Sequence, residues 1–385
     1  MKILFVNVGG ASLVQDKYLT NTKFWLFIKH WPDDVAYMGP VCSYCDAEYS
    51  IDTLVYPLPC FRSLRHFYIK LFSSPAFIVQ FFKAVNKYDW KCDAVYLRDT
   101  HPLTILMWFI AIKKGKLPIL HITSNPRLIA ETSFYGLRRF VYIVYSRIRE
   151  KIEAYMAKKS VVLLSCRHPV INSDKYPGVY NIRTNLVSRN DIVDDSYVRN
   201  KYQHLRTLTR ILYVGRISRE KGIEDLVDAW AGISMEFKDA TLDIIGDGPE
   251  MVSVHQMCIN RNINRIQFRG AEFDRKVLLD KIRKAHLMVV PSREDGLPKV
   301  IFEALASGTC IVATKVGEMT SILSSGDYGW AANASNACSL RETIVEAMTN
   351  VTKCCRMAVN GVTNASDVSM ESEIERIHDI VSKAK

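Results

Sequence analysis

The sequence lacks both a regular cysteine framework and a long apolar run. Ten cysteines are scattered over 385 residues without regular spacing, which excludes a small disulfide-stapled scaffold and favours reduced thiols in the cytoplasm. The longest apolar candidate, residues 103–112, ends at two lysines and is too short for a membrane-spanning helix, which needs about 20 residues. Residues 3–7 resemble a first strand more than the core of a signal peptide. We therefore expect an ordinary globular protein.

Acidic residues are scarce in the first half of the chain. Residues 1–205 hold 28 Lys and Arg against 16 Asp and Glu, whereas the remaining residues hold 23 against 24, within a formal net charge of +11. Residues 113–167 alone carry twelve basic residues and three acidic ones. Such an asymmetry between halves favours an anionic partner for the basic half, either a membrane surface or a nucleic acid.

Bulky apolar runs lie beside these cations. They occupy residues 24–27, 67–72, 77–82 and 140–145. Bulky apolar groups flanked by cations are typical of a surface that enters the lipid headgroup layer, whereas nucleic-acid binders use single aromatic side chains on a basic platform. We favour an anionic membrane surface and no nucleic acid. The alternative is that these runs form core helices with a solvated basic face.

The second half of the chain alternates between two periodicities. Short apolar runs at 210–214, 241–245, 265–268, 287–290 and 310–313 alternate with helical patterns at 222–233, 250–259, 277–285, 299–306 and 338–348. Strands alternating with helices in this way indicate βα units and a parallel sheet.

The first half shows the same alternation less clearly. Strand candidates lie at 3–7, 53–56, 94–97, 118–122 and 161–164, separated by long segments of mainly helical pattern. We predict two parallel-sheet domains, residues 1–195 and 206–365, with a boundary near 185–208. A C-terminal helix covers 366–385.

Two loops that follow predicted strands carry groups suited to an anion. The first runs from Gly215 to Gly222 and contains Arg216 and Lys221. A glycine there lets the backbone approach a ligand, and the helix that follows offers unpaired N–H groups at its start. Arg binds phosphate oxygens in a fork and Lys acts as a point charge. A charged strand–helix loop without any function is the alternative.

The second loop covers residues 291–299, and a helix follows it. Pro298 suits the first helical position, so the amides near Lys299 should point to the carboxyl edge of the sheet, where open α/β sheets bind ligands. Glu303 lies on an otherwise apolar helix. It is either a solvated side chain or one that accepts from a ligand hydroxyl.

The ordered set of motifs resembles the retaining glycosyltransferases of family 4. The set comprises Gly215-Arg216 with Lys221-Gly222, the Gly-Asp-Gly-Pro turn at 246–249, Phe268-x-Gly270, and the loop and helix over 291–308. The resemblance is strong over 210–350, whereas in the first half it rests on strand order and on Gly9-Gly10. It implies an α/β GT-B fold, in which two Rossmann-like parallel-sheet domains face each other across a cleft and the C-terminal helix crosses back to the N-terminal domain. It also implies that domain 1–195 binds the acceptor and domain 206–365 the nucleotide sugar.

The resemblance also implies roles for individual residues. Arg216 and Lys221 would neutralise the donor diphosphate, Glu303 would accept from the ribose, and the backbone at Arg269 and Gly270 would meet the base. The remaining implied contacts are to the sugar and its phosphate, from Asp295, Gly296, Leu297, Pro298 and Lys299, and from Gly9 and Gly10 of the other domain.

Two positions stay open. The family signature has Glu where this chain has Asp295, with Glu294 beside it, so either carboxylate could reach the sugar hydroxyls. The family also places a sugar-facing histidine after a strand of the first domain. We prefer His121 for that role over His101, although a histidine at a strand end is more often structural.

These features lead to a metal-independent, retaining hexosyltransferase without a cofactor. It would move a sugar from a UDP- or GDP-sugar to a lipid-linked or polysaccharide acceptor, as a peripheral protein at the cytoplasmic membrane face. No Asp-x-Asp follows a strand, so no bridging metal is predicted. The alternatives are a GT-B epimerase or phosphorylase and a basic nucleic-acid-binding protein.

Overall fold

The computed structural model describes residues 1–6, 11–14, 17–20, 28, 30–42, 49–61, 64–87, 90–125, 127, 136–166, 168–183, 185–295 and 298–384. The chain forms two compact units. The first consists of Met1–Thr184 with Glu373–Lys385, and the second of Asn185–Ser372.

The first unit is built on a parallel sheet. Its strands are β1 (Ile3–Val6), β2 (Ala11–Val14), β3 (Lys17–Thr20), β4 (Val35–Cys42), β5 (Tyr49–Ser50), β6 (Leu54–Leu58), β7 (Ala94–Arg98), β8 (Leu117–Ile122), β9 (Val161–Leu164) and β10 (Val179–Asn181). Its helices are α1 (Leu64–Ser73), α2 (Pro75–Lys87), α3 (Pro102–Lys113) and α4 (Gly136–Ala157). Seven strands run parallel in the order β10-β9-β8-β7-β1-β4-β6. The short strands β2, β3 and β5 extend the sheet beyond β4.

The second unit alternates strands and helices throughout. Its strands are β11 (Arg210–Val214), β12 (Thr241–Ile245), β13 (Ile266–Phe268), β14 (Leu287–Val290), β15 (Cys310–Thr314) and β16 (Gly329–Ala332). Its helices are α5 (Asp195–Tyr202), α6 (Ile223–Glu236), α7 (Met251–Asn260), α8 (Arg275–Lys284), α9 (Val300–Ala306), α10 (Met319–Ser325), α11 (Ala337–Thr349) and α12 (Val351–Ala365).

The strand order of the second unit creates a crevice at one place. All six strands are parallel, in the order β13-β12-β11-β14-β15-β16. The chain moves outward from β11 in one direction and then from β14 in the other, which is the doubly wound order with its switch point between β11 and β14. The loops that follow these two strands therefore lie side by side at the carboxyl edge of the sheet.

Burial explains why the strands of both units read as apolar runs. All residues of β1, β9, β14 and β15 are buried, as expected for parallel strands that are covered on both faces. Helix α6 buries one stripe, from Ile223 through Leu226 and Trp230 to Ile233, which is the spacing of an amphipathic helix. The prediction of two Rossmann-like parallel-sheet units is confirmed.

The limits of the units differ from the predicted 1–195 and 206–365. Residues 185–195 belong to the second unit, because Val187 lies in its apolar core and Asn185 Nδ2 donates to the Val368 carbonyl oxygen at 2.6 Å. A final helix, α13 (Met370–Lys383), starts in the second unit and continues in the first. There, the Arg183 N–H donates to Glu373 Oε1 at 2.8 Å. The predicted return of the C-terminal helix to the first unit is confirmed.

Two expectations about side chains need correction. Cys60 is disulfide-bonded, so the expectation of reduced thiols fails there, although seven described cysteines carry free thiols. The apolar runs 67–72 and 77–82 are partly core, since Phe67, Phe77 and Phe81 are buried together. Run 24–27 lies outside the described residues. None of the described helices combines the length and apolarity needed to cross a bilayer.

Candidate active site

The loop after β11 is shaped by glycines that allow close backbone approach. Gly222 has a φ of +66°, and a Cβ there would lie 1.9 Å from the Pro291 carbonyl oxygen, so no larger residue fits. The Gly215 N–H donates to the Ile245 carbonyl oxygen at 3.0 Å. Tyr213 Oη donates to the Arg216 carbonyl oxygen at 2.8 Å. The loop is thus held against its neighbours while the Arg216 side chain remains exposed.

The loop after β14 is tied to the first loop by backbone and side-chain bonds. The Arg293 N–H donates to the Glu220 carbonyl oxygen at 2.9 Å. The Arg293 guanidinium donates to both Asp225 carboxylate oxygens at 2.7 and 2.8 Å and lies 3.1 Å from Glu224. Bidentate pairs of this kind fix orientation as well as distance. Arg293, which the sequence reasoning missed, therefore holds the two loops in register.

A pocket of about 230 Å³ lies between these loops. Its lining residues are Tyr213, Val214, Gly215, Arg216, Lys221, Val290, Ser292, Asp295, Pro298, Lys299 and Val300. Five of the predicted site residues, Arg216, Lys221, Asp295, Pro298 and Lys299, share this lining. The structure brings the two predicted diphosphate cations into one pocket at the switch point; their roles stay a prediction.

Lys221 and Asp295 form an ion pair within the pocket. Both side chains are mostly buried, with 29% and 13% of their surface exposed. The Arg216 side chain lines the pocket and is exposed, so it can meet an anion. Of the two candidate carboxylates, Asp295 lines the pocket and Glu294 is exposed outside it. The geometry therefore favours Asp295 as the carboxylate that faces a pocket ligand.

Glu303 is positioned by an arginine from a neighbouring helix. Its Oε1 accepts from Arg275 Nη1 at 2.9 Å, and Arg275 Nη2 donates to Asp191 Oδ2 at 3.0 Å. Burial raises the pKa of Glu303, and the positive charge of Arg275 opposes that rise only in part. Neither Asp191 nor Arg275 was predicted, because nothing in their spacing marks them as partners of Glu303. The carboxylate does not line the pocket itself.

The predicted base contact lies at the ends of β12 and β13. The Arg269 N–H donates to the Ile244 carbonyl oxygen at 2.8 Å, and Arg269 Nε donates to Asp243 Oδ1 at 3.1 Å. The Gly270 carbonyl oxygen accepts from the Gly246 N–H at 2.8 Å. These bonds use the Arg269 amide and the Gly270 carbonyl, and neither residue lines the pocket. A contact with a base remains a prediction.

His121 is not available to a sugar, which corrects the sequence-based preference. It lies inside β8 and is fully buried. Its Nδ1 is 2.8 Å from Tyr96 Oη and its Nε2 is 2.6 Å from Ser165 Oγ. Both ring nitrogens are thus occupied, because the alternation of the strand turns this residue into the unit. The structural alternative stated for a strand-end histidine is the one observed.

His101 also serves the fold of the first unit. Its Nδ1 accepts from the Thr104 N–H at 3.3 Å and caps α3. Burial lowers the pKa of His101 to about 4, so the ring is neutral at physiological pH. Gly9, Gly10, Gly296 and Leu297, which were also predicted to bind the donor, lie outside the described residues.

The described part of the chain offers no cluster of metal ligands. No group of three or more His, Cys, Asp or Glu side chains there could hold a metal ion. The charges that line the pocket are instead two lysines, one arginine and one aspartate. The arrangement can therefore bind an anion such as a diphosphate through protein cations.

The domain that contains this pocket is similar to known proteins. Residues 209–350 match the family described as Glycosyl transferases group 1. This segment is therefore similar to the domains of group 1 glycosyltransferases. An uncharacterized glycosyltransferase of Methanocaldococcus jannaschii is 32% identical over 140 residues, which is 36% of this chain and 38% of that protein. N-acetyl-alpha-D-glucosaminyl L-malate synthase of Bacillus anthracis is 25% identical over 156 residues, 40% of each chain. The chain thus aligns with about two fifths of the length of these relatives.

Solved structures extend the likeness to the whole chain. Anabaena Alr3699/HepE, solved in complex with UDP, has a TM-score of 0.67 at 16% identity and covers all of both chains. Sucrose-phosphate synthase from Thermosynechococcus elongatus has a TM-score of 0.69 at 16% identity and covers 100% of this chain and 99% of that one. At such low identity these matches establish the fold, which is GT-B.

Proposed function

We propose that this protein is a retaining glycosyltransferase of family 4. It moves a hexosyl group from a UDP- or GDP-sugar to a lipid-linked or polysaccharide acceptor at the cytoplasmic face of a membrane. The observation that carries the proposal is the shared pocket of Arg216, Lys221 and Lys299 at the switch point of the second sheet. Ligands of open α/β sheets bind at this point.

The cations would act on the leaving group. Breaking the bond between the sugar and the diphosphate places negative charge on the phosphate oxygens. Preplaced positive groups stabilise that charge as it develops, without a reorganisation cost during the reaction. Arg216, which lines the pocket and is exposed, is available for this role. Lys221 would share its charge between Asp295 and the diphosphate.

The carboxylates would orient the donor. Asp295 lies in the pocket beside Lys221, which suits hydrogen bonds from sugar hydroxyls. Glu303 is held by Arg275 and would accept from the ribose. In the retaining reaction that the family resemblance implies, the departing phosphate takes the proton of the acceptor hydroxyl while the new bond forms on the same face of the sugar. No protein base is needed for that step.

Two further observations support the choice of substrate. The Alr3699/HepE structure contains UDP, and a second structure of that protein contains UDP and glucose. The basic excess of residues 1–205 suits an anionic membrane that carries the acceptor. Because protein cations occupy the pocket, we propose that turnover needs neither a metal ion nor a cofactor.

The test is donor turnover by the purified full chain. Release of UDP or GDP from a panel of nucleotide sugars should be saturable, should increase with a saccharide or lipid-linked acceptor, and should be unchanged by EDTA. NMR of the product should show the anomeric configuration of the donor. Loss of turnover with EDTA would contradict the metal-free reaction, and inversion at the anomeric carbon would contradict the retaining one. A new sugar nucleotide formed without acceptor would indicate an epimerase.

A further inference from the structure

Helix α4 has its polar and apolar faces reversed relative to an ordinary surface helix. The face that packs into the first unit buries the polar side chains of Ser146, Glu150 and Glu153, and only the last turn buries apolar residues, Met156 and Ala157. The opposite face is apolar, and 79% of Leu137 and 65% of Phe140 are exposed. A surface helix of a globular protein normally turns its apolar stripe inward and its charges outward. The outer face of α4 is therefore not adapted to water.

Seven of the eight large apolar side chains that α4 exposes form one stripe, and the eighth, Tyr142, lies off it. Its members are Leu137, Phe140, Val141, Val144, Tyr145, Ile148 and Tyr155. Spacings of three, four and, from Ile148 to Tyr155, seven residues place them on one side of a helix. At 1.5 Å per residue the stripe is roughly 27 Å long. Scattered exposed apolar residues need no explanation, but a contiguous patch of this kind marks an interaction surface.

The buried polar face is paired within the protein, so the orientation of the helix is well determined. Glu153 accepts from Arg149 Nε at 2.7 Å, and its other carboxylate oxygen lies 2.9 Å from His168 Nε2. Glu150 forms an ion pair with Arg127. Turning the helix over would expose these pairs to water and bury the apolar stripe, at the cost of leaving charges on the other elements unpaired inside the unit.

All charges that α4 exposes have the same sign. Arg138, Arg139, Arg147 and Lys151 are exposed, whereas the two acidic residues of the helix, Glu150 and Glu153, are on the buried face. Exposed cations next to aromatic and aliphatic groups match an anionic lipid surface, in which the apolar groups enter the acyl boundary and the cations meet phosphate.

We infer that α4 lies flat in the headgroup layer of an anionic membrane and fixes the first unit to it. The helix carries too many charges to cross the bilayer, which agrees with the described helices containing no membrane span. A second copy of the chain is a poorer occupant. A symmetric dimer would place the same patch against itself, and four cations would then face four cations.

The inference deepens the proposed function, since it names the surface through which the protein would reach a lipid-linked acceptor. Vesicle binding and donor turnover are separate measurements, so the two proposals can fail separately. The test is co-sedimentation of the full chain with two kinds of vesicle. One contains phosphatidylcholine alone, and the other also contains about 30% phosphatidylglycerol, which gives it a strong negative surface potential. Strong binding is expected only with the anionic lipid, and it should weaken as salt increases.

The decisive variant is Phe140→Ser/Val144→Ser/Ile148→Ser. These side chains are exposed, so the fold should survive, as checked by circular dichroism and thermal unfolding. The bound-to-free ratio should fall at least about tenfold, because apolar burial supplies much of interfacial binding. Arg138→Gln/Arg147→Gln should lower binding about fivefold per charge. Donor turnover with a water-soluble acceptor should not change in either variant.

The matched control is Val252→Ser/Phe273→Ser in the second unit, where the two side chains are 80% and 86% exposed. This variant should bind vesicles like the parent chain. Equal binding to neutral and anionic vesicles, or full binding by the α4 variants, would overturn the inference. It would also be overturned if the chain did not bind vesicles and instead formed a dimer that the α4 variants converted to a monomer.

Discussion

The two units share a parallel-sheet architecture but differ in where they place their polar groups. In the second unit, charged side chains collect in loops at the carboxyl edge of the sheet, around a pocket that contains Arg216 and Lys221. In the first unit, Glu153 is buried on the inner face of α4, where it pairs with Arg149, and the outer face of the same helix exposes apolar groups. The comparison teaches that one fold supports two kinds of surface. One is a preorganised anion pocket, and the other is a face suited to lipid.

The buried charges of the first unit predict the largest effect on stability. Glu153→Gln leaves Arg149 without its carboxylate partner inside the protein, and breaking a buried ion pair costs about 3–5 kcal/mol. Denaturant unfolding should show that loss in the free energy of unfolding. Glu342→Gln, at an exposed position of the second unit, should change it by less than about 0.5 kcal/mol. Equal effects in the two variants would remove the contrast between the units.

The same carboxylate makes stability depend on pH. Burial alone would raise the pKa of Glu153, but the hydrogen bond from His168 and the charge of Arg149 outweigh it and leave the pKa below its ordinary value. A lowered pKa contributes stability above the ordinary range of Glu, and this contribution is lost as the pH falls through the folded-state value. The difference between the parent chain and Glu153→Gln should therefore shrink below about pH 4.

The close approach of the two loops in the second unit predicts the next effect. Gly222→Ala places a Cβ against the Pro291 carbonyl oxygen and requires a left-handed backbone, so the free energy of unfolding should fall by about 2 kcal/mol or more. Gly270→Ala is the control, since Gly270 has a similar φ of +71° but open space around it. If Gly270→Ala cost as much as Gly222→Ala, the contact between the loops would not matter.

Replacing Arg275, the partner of Glu303, should have a smaller, pH-dependent effect on donor binding. Arg275→Ala removes the charge that opposes the raised pKa of Glu303, so that pKa should rise further. In a plot of donor affinity against pH, the loss of affinity on the acidic side (the acidic limb) should therefore begin at a higher pH. The donor KM at neutral pH should increase by a factor of about 5–10, or roughly 1 kcal/mol. Lys276→Ala, at the next exposed position, should leave both the limb and the KM in place. A KM increase without a shift of the acidic limb would argue against a positioning role.

The smallest predicted effect concerns the ion pair in the pocket. Asp295→Asn removes a negative charge beside Lys221, so UDP should bind about threefold to fivefold more tightly in calorimetry, a gain of less than about 1 kcal/mol. Turnover should decrease nevertheless, because the carboxylate that accepts from the sugar is lost. Weaker binding of UDP by this variant would show that Asp295 positions Lys221 more than it competes for its charge.

Much of the fold was predictable because βα alternation is a local property of the sequence. Strands such as β11 and β14 are short apolar runs followed by a glycine or proline, and they were found at their observed places. Strand β4 was missed because it contains Gly39-Pro40, a pair that normally marks a turn. Its pairing with β1 and β6 keeps it extended in the structure.

The site was predictable where its residues directly follow a strand and not where contacts are distant in sequence. Arg216 and Lys221 belong to the first kind, and Asp295 follows β14 in the same way. The bond between Arg275 and Asp191 joins residues 84 positions apart, and no local pattern marks it. His121 was misplaced because its side chain direction depends on a strand register that only Tyr96 and Ser165 reveal.

The most direct test of the central claim is donor turnover by Arg216→Ala measured beside Arg219→Ala. Both arginines are exposed in the same loop, but only Arg216 lines the pocket. Losing one preplaced group at a developing charge costs about a hundredfold to a thousandfold in kcat. We predict that loss in Arg216→Ala and near-parent turnover in Arg219→Ala. Parent-like turnover in Arg216→Ala, or an equal loss in both variants, would contradict the assignment of the pocket to the donor diphosphate.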